Sequence, residues 1–415
     1  MLSSIPLREQ VALLMRGVTF GDPEISATME AELRERLGEA LAADAPLRVY
    51  LGVDPTSSDL HLGHTVPLRK LRQFQDLGHQ VTFLIGSFTG LIGDPSDKDS
   101  ARPQQTAEQV RAHAQTYVDQ VWHVLDRERT IVEYNDRWLA ELTFGELIDL
   151  ASQFTVQQFL ARDNFRQRFS EGHPIWLHEF FYALMQAYDA GHLRTDVQVG
   201  GTEQLFNLMA GRKWMAARGL RPQICLTLPI LVGTDGRRRM SKSTGNTIGI
   251  AEAPETQYGK VMSIPDDAMR NYAELVTRWA PAEIQALFAD LDAGRLHPRD
   301  LKMRLAREIV SSLHGEDAAC AAEEAFRAVF QAGALPEEMP IHALRAEAPV
   351  VAVLVDAGLA NSRSAARRLV EQRGVRLDGR IVTSAEETVP PQDAVLQVGR
   401  RRFVRLRGLT GYNEV

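Results

Sequence analysis

Between Leu47 and Gly233 the apolar residues fall in short unbroken runs, and polar residues gather where the runs stop. LRVYLGVD (47–54) ends at Pro55, and VTFLIGSF (81–88), TIVEYND (130–136), TDVQVGG (195–201) and ICLTLPILVG (224–233) repeat that character. Continuous apolar runs of this length predict strands covered on both faces. Between them the period changes. In LHLGHTVPLRKLRQFQDLG (60–78), Leu68, Leu71 and Phe74 recur at helical spacing and Gly78 supplies the stop. Strands alternating with helices predict an α/β fold with a doubly wound, mostly parallel sheet of the Rossmann kind. Ligands of such sheets sit beyond the carboxyl ends of the strands.

After about residue 250 the strand pattern stops. Residues 254–330 read as helices, with AEIQALFADL and EEAFRAVFQA clearly amphipathic. The stretch AGALPEEMPIHALRAEAP (332–349) holds three prolines and reads as a linker. A small α+β unit follows. The expected division is a sheet domain over 1–250, a helical domain over 251–331, the linker, and a small domain over 350–410.

The chain has 415 residues, room for two or three domains. No apolar run approaches the ~18 residues of a membrane span. The N-terminus, MLSSIPLREQVALLMRG, is amphipathic and lacks the plan of a signal peptide. Cys225 and Cys320 are the only cysteines, which excludes a disulfide framework and a cysteine zinc site. A reducing cytoplasm is the expected location. The net charge of −7 argues against a polyanion partner until its distribution is read. From Pro349 to Thr410 there are 11 basic and 6 acidic residues. A basic tail on an acidic body fits an appended polyanion binder, or an arginine-rich solvated surface.

Polar motifs cluster at the expected strand ends. DPTSSDLHLGH (54–64) lies at a strand-to-helix junction, where backbone N–H groups and the helix dipole favour anions. His61 and His64 can donate to phosphate oxygens there, and Gly63 keeps the backbone approachable. Paired histidines also serve zinc, but no third ligand stands near in the sequence, so no metal site is expected. DGRRRMSKSTGN (235–246) concentrates Arg238, Arg239 and Lys242 between Gly236 and Gly245, with Ser241 and Ser243 as hydroxyl donors. Such a loop can close over a triphosphate; alone, it reads equally as exposed basic surface. Tyr182, Gln186 and Asp189 share one face of a predicted helix. VGGTEQ (199–204) ends a strand with two glycines, and Thr202 is positioned to cap the next helix. GSFTGLIGDPSDK (86–98) places Asp94 at the same rim. Neither the Walker pattern nor GxGxxG occurs.

Taken together, HLGH after the first strand, RMSKS after the last, and YLGVD with QAYD between resemble the class I aminoacyl-tRNA synthetases, and within them the bacterial-type tyrosyl branch. Arg239 replaces the usual first lysine of that KMSKS signature. VDAGLANSRSAARRLVEQRGVRLDGR, near the end, resembles the RNA-binding fold of small-subunit ribosomal protein S4. The resemblance implies ATP-dependent adenylation of L-tyrosine and transfer to the terminal ribose of tRNA(Tyr). It implies Tyr50 and Asp189 on the tyrosine hydroxyl, and Asp94, Tyr182 and Gln186 on its amino group. Gly52, Asp54 and Gln198 are further pocket members, and Gly201 and Glu203 meet the adenylate ribose. Glu203 departs from the family's usual aspartate, so an extra methylene must be absorbed. His61, His64, Arg239, Lys242 and Ser243 fall on the phosphates, with Gly63 between the histidines and Thr56 nearby. Magnesium accompanies ATP, with no dedicated protein cage. Arg363, Arg367, Arg368, Arg373, Arg400, Arg401 and Arg402 are candidates for tRNA phosphates. A homodimer is implied as well. A tryptophanyl enzyme, a small adenylyltransferase and an RNA-binding module with a decayed site are the competing readings. The first should lack Asp189 in this setting, the second is shorter, and the third should have lost its polar residues.

Overall fold

The computed structural model describes residues 2–55, 59–96, 105–330, 339–399 and 402–408. The chain divides into two compact units, Met1–Glu323 and Glu324–Val415.

The first unit is built on a five-stranded sheet: β1 (Arg48–Val53), β2 (Gln80–Ile85), β3 (Thr130–Tyr134), β4 (Val197–Gly201) and β5 (Ile224–Leu228). All four pairings are parallel, and the order is β3-β2-β1-β4-β5. The five apolar runs are these five strands, and the doubly wound expectation is met. From β1 the chain winds outward through β2 to β3, then returns to lay β4 on the other side of β1. The direction of winding reverses between β1 and β4, which is where such sheets open a crevice for ligands.

β1 enters the helix Leu62–Asp76, capped by His61. Its buried face carries Val66, Leu68, Leu71 and Phe74, and Gly78 leaves it at a φ of 92° that disfavours any side chain. The helix Leu177–His192 packs Ala183, Leu184, Met185, Ala187 and Ala190 into a core shared with Tyr50, Leu84 and Trp138. That shared apolar core walls the inner end of the crevice. Beyond β5 the chain is helical as expected, through the helix Pro298–His314 and on to the helix Glu316–Phe330, within which the division between the two units falls.

The second unit carries β6 (Ile341–Leu344), β7 (Ala348–Pro349), β8 (Val375–Leu377), β9 (Arg380–Ile381), β10 (Thr388–Val389), β11 (Ala394–Val398) and β12 (Arg402–Gly408). Five of them form a sheet in the order β6-β12-β11-β8-β9, and β7 pairs with β10. The helices Val350–Asp356 and Arg363–Glu371 share its apolar core through Val353, Leu354, Ala366 and Val370. β6 lies inside the proline-rich stretch that reads as linker. It is held by parallel pairing of Ile341–Leu344 with Arg405–Gly408, a partner too distant along the chain for local pattern to reveal.

Candidate active site

At the crevice between β1 and β4 lies a cavity of about 270 Å³. Of the residues singled out from sequence, eleven line it and His61, Gly63, Arg239 and Lys242 do not: Tyr50, Gly52 and Asp54 come from β1 and its end, His64 from the capped helix, and Asp94 from the rim. Tyr182, Gln186 and Asp189 come from the helix Leu177–His192, and Gln198, Gly201 and Glu203 from β4 and its exit.

Its closed end is polar inside an apolar wall. Asp189 is 3% exposed. Its carboxylate accepts from Trp138 Nε1 at 2.7 Å and Asn135 Nδ2 at 3.1 Å. Burial pushes the Asp189 pKa up to about 7, with those two donors pulling the other way. The Tyr50 hydroxyl is buried without a hydrogen-bond partner among the described residues, and burial and Asp189 raise its pKa. A buried carboxylate beside an unpaired phenol calls for a ligand hydroxyl. Asn135 and Trp138, which the sequence did not single out, hold the Asp189 carboxylate. Asn135 stands at the carboxyl end of β3, where the strand-end rule could have found it. Trp138 carries no such signal.

Further out, two carboxylates are fixed by neighbours. Asp54 accepts from Tyr182 Oη at 2.8 Å and from Thr89 Oγ1 at 2.7 Å. Asp94 accepts from Ser96 N at 2.8 Å and from Gln204 Nε2. Gln198 accepts from Gln223 Nε2. The Glu203 carboxylate curls back over Gly201, where an added methyl would overlap it. Thr202 lies inside a single turn, Thr202–Gln204, whose N-cap position is Gly201, and the N-cap of the following helix is Gln204, so Thr202 does not take the capping position expected of it.

The two histidines form a reciprocal cap. His61 Nδ1 accepts from Gly63 N at 3.2 Å, and His64 Nδ1 accepts from His61 N at 3.1 Å. Their ring centroids lie 4.0 Å apart. Gly63 is required because a methyl there would stand 2.9 Å from the His61 ring. Burial lowers the His61 pKa to about 3, with His64 and Lys242 adding to it, and the His64 pKa to about 4, with Lys242 adding to it. Both imidazoles are therefore neutral at pH 7. With Nδ1 accepting, each keeps its proton on Nε2 as a donor.

The basic loop meets this turn. His61 and Gly249 form an antiparallel bridge, with Leu62 N donating to Ile248 O and Ile250 N to Leu60 O. Lys242 Nζ pairs with Asp59 Oδ2 at 3.1 Å. Both partners are substantially exposed, so the pair holds weakly and Lys242 can exchange it for another anion. Asp235 pins the loop by accepting from Arg237 N and Arg238 N, and buried Asn246 by accepting from Ser241 N. Those backbone bonds, with others, hold the Asp235 pKa at about 2. Arg239 is anchored through its backbone bridge to Val232, and Ser243 sits in the turn Lys242–Thr244. Thr56 lies outside the described residues.

A wider hollow of about 890 Å³, lined by Phe154, Phe206, Arg162 and Lys213 among others, adjoins the first at Glu203. The chemistry belongs to the smaller one, where buried polar groups converge. Among the described residues no group of three or more His, Cys, Asp and Glu is placed to hold a metal ion. The arrangement suits a phenol at the closed end, an ammonium group between carboxylates, and a polyanion at the neutral imidazoles and cationic loop.

In the second unit Arg363, Arg367 and Arg368 are exposed on the helix Arg363–Glu371, whose Ala366 and Val370 are buried, and Arg373 follows it. Arg402 Nη1 donates to Leu359 O at 2.7 Å. Arg400 and Arg401 lie outside the described residues.

Residues 42–331 match the family model for class I tRNA synthetases (W and Y), and residues 349–395 match the S4 domain. A tyrosine–tRNA ligase of Moorella thermoacetica is 49% identical, over 96% of this chain and 97% of its own. One of Thermotoga maritima is 46% identical, over 96% and 98%. The fold is shared with a C-terminally truncated mitochondrial tyrosyl-tRNA synthetase of Aspergillus nidulans, at a TM-score of 0.63 and 24% identity, covering 78% of this chain and 94% of that one. It is shared too with a tyrosyl-tRNA synthetase of Archaeoglobus fulgidus solved with L-tyrosine, at 0.58 and 24% identity, covering 77% and 100%.

Proposed function

Since this chain belongs to the class I tRNA synthetase family of the tryptophanyl and tyrosyl enzymes, we propose that it is a tyrosine–tRNA ligase. It activates L-tyrosine with ATP and transfers it to the 3′ end of tRNA(Tyr). The observation that carries this reading is the buried pair Tyr50 and Asp189 at the closed end of a cavity that His64 also lines. ATP–pyrophosphate exchange driven by tyrosine tests it.

Tyr50 and Asp189 take the substrate hydroxyl. Asp94, Tyr182 and Gln186 take the ammonium group, with Gly52, Asp54 and Gln198 completing the pocket. The tyrosine carboxylate attacks the α-phosphate; the bond to pyrophosphate breaks and its electron pair leaves with pyrophosphate. No general base is needed, because the nucleophile is already ionised. The step needs alignment and stabilisation of charge on the phosphates. The Nε2–H groups of His61 and His64, together with Lys242, Arg239, Ser243 and Thr56, supply it. Arg239 keeps the charge of a lysine with a different donor geometry. Gly201 and Glu203 receive the ribose. Magnesium enters bound to the phosphates of ATP. The terminal ribose hydroxyl of the tRNA then attacks the tyrosyl carbonyl, and AMP leaves.

The S4 domain grips tRNA through Arg363, Arg367, Arg368 and Arg373, with Arg400, Arg401 and Arg402 in support. The division at about residues 250, 331 and 349 assigns adenylation to the first part, the anticodon side to the helices and the long variable arm to the tail. A homodimer is supported by exposed apolar side chains concentrated between Phe144 and Leu177: Phe144, Ile148, Val156, Phe169, Trp176 and Leu177. Among the described residues no helix is long and apolar enough to cross a membrane. The cytoplasm is the proposed location, which cell fractionation checks.

A further inference from the structure

Asp94 occupies a place where nothing regular holds it. It follows a single helical turn, Thr89–Ile92, and Gly93, whose φ of 78° turns the chain. Yet an ammonium ligand needs that carboxylate fixed. The segment Asp94–Ser96 is clasped from two other elements. Arg162, immediately before the helix Asp163–Ser170, is 8% exposed. Its guanidinium lies over the rings of Phe206, at 4.7 Å, and Phe165, at 5.2 Å, and Nη2 donates to Ser96 Oγ at 2.6 Å. Asn164 Nδ2 donates to Pro95 O at 2.8 Å. From the helix Leu205–Ala217, fully buried Asn207 donates to Ser96 Oγ at 3.4 Å and to Gln204 Oε1 at 3.0 Å. Gln204 then donates to one carboxylate oxygen of Asp94, and Ser96 N to the other at 2.8 Å.

The aromatic rings fix the guanidinium plane, and the plane fixes Ser96. A buried arginine is costly, and a short bond to a neutral hydroxyl repays little of that cost. Its cation also attracts Asp94. This arrangement makes sense as a positioning device more than as a source of stability. We infer that Arg162, acting through the Ser96 hydroxyl, is a positioning residue that sets Asp94 to receive the α-ammonium group of the substrate. The inference rests on the proposed tyrosine pocket and adds a residue that touches no substrate.

The test uses two competitive inhibitors of tyrosine-dependent pyrophosphate exchange on the full-length protein. Tyramine keeps the phenol and the ammonium group; 3-(4-hydroxyphenyl)propionate keeps the phenol and loses the ammonium group. Arg162→Ala is expected to raise the inhibition constant of tyramine about tenfold and to leave that of the propionate within about twofold, because only the ammonium contact is disturbed. Ser96→Ala should show the same selectivity with a smaller effect, and it carries the test should Arg162→Ala not fold. Combining Arg162→Ala with Asp94→Asn should add little to Asp94→Asn alone. Equal weakening of both inhibitors, or of neither, overturns the inference. If Asp94→Asn itself leaves tyramine binding unchanged, the assignment of Asp94 to the ammonium group fails, and the inference fails with it.

Discussion

Trp138 donates its indole N–H to Asp189 Oδ1 at 2.7 Å, and this bond opposes the effect of burial on the carboxylate. Without donors, a fully buried carboxylate would take up a proton. With Trp138 and Asn135 it stands at about 7, on the edge of ionisation. A ligand phenol that donates to it favours the ionised form.

Tyrosine affinity is therefore predicted to rise as pH climbs through about 7 and to level off above it. The sign follows from burial. The free protein prefers Asp189 protonated, and bound tyrosine prefers it ionised. Trp138→Phe removes the stronger donor, moves the inflection upward and weakens tyrosine binding at pH 7 by roughly tenfold or more. Equilibrium dialysis of tyrosine from pH 5.5 to 8.5 checks both. A flat profile in the wild type would contradict the assignment.

The imidazole pair gives an acid-lability prediction. Both histidines have folded pKa values below the ordinary 6.5, near 3 and 4. The unfolded chain takes up these protons first, so the contribution of each to stability is complete above about 6.5 and is lost as pH falls toward 4 and 3. Replacing His64 by Gln should flatten the fall in thermal midpoint between pH 6.5 and 4. The same variant should lower kcat for exchange by about 100-fold while changing the tyrosine KM by less than about threefold. A large loss of tyrosine affinity instead would move His64 out of the phosphate role.

Much of this could be seen in the sequence, and the reasons are physical. β2, β4 and β5 announced themselves because strands covered on both faces must be largely apolar; β3, at the sheet edge with no buried residue, showed only as a shorter run that carries Glu133. His61 and His64 stood out because their motif sits at a strand-to-helix junction, where backbone geometry is fixed locally, and Asp189 because it shares a helix face with Tyr182 and Gln186 and matches the family resemblance. Their electrical state was not legible. Neutral imidazoles arise from burial and from Lys242 arriving from a loop far along the chain. Trp138 and Arg162 carry no motif that marks them; their contacts, Trp138 on Asp189 and Arg162 over Phe165 and Phe206, come only with the fold. β6 was hidden by neighbouring prolines and by a partner strand near the end of the chain.

The division of labour predicts the behaviour of a shortened chain. Ending the protein at residue 330 removes all of β6–β12 together and leaves the crevice of the first unit whole. Exchange with tyrosine should stay within about threefold of the full-length rate, while aminoacylation of tRNA(Tyr) at moderate salt falls by at least about 100-fold with the loss of phosphate contacts. Parallel loss of both activities would refute the separation.

The exposed apolar segment predicts a symmetric dimer. Phe169 and Trp176 are 68% and 54% exposed, and exposed apolar surface of this kind marks an interaction face. Phe169→Glu combined with Trp176→Glu should convert a dimer into a monomer in sedimentation equilibrium. A wild-type monomer at micromolar concentration, or a variant that still dimerises, would remove that face from consideration.

The most direct measurement is ATP–pyrophosphate exchange compared across tyrosine, phenylalanine and tryptophan. Tyrosine should support brisk exchange. Phenylalanine, which brings no hydroxyl to Tyr50 and Asp189, should lower exchange by on the order of 100-fold or more. Tryptophan should give almost none. Exchange that ignores the hydroxyl, or that tryptophan supports as well as tyrosine does, would show that the buried pair is not where the substrate is read.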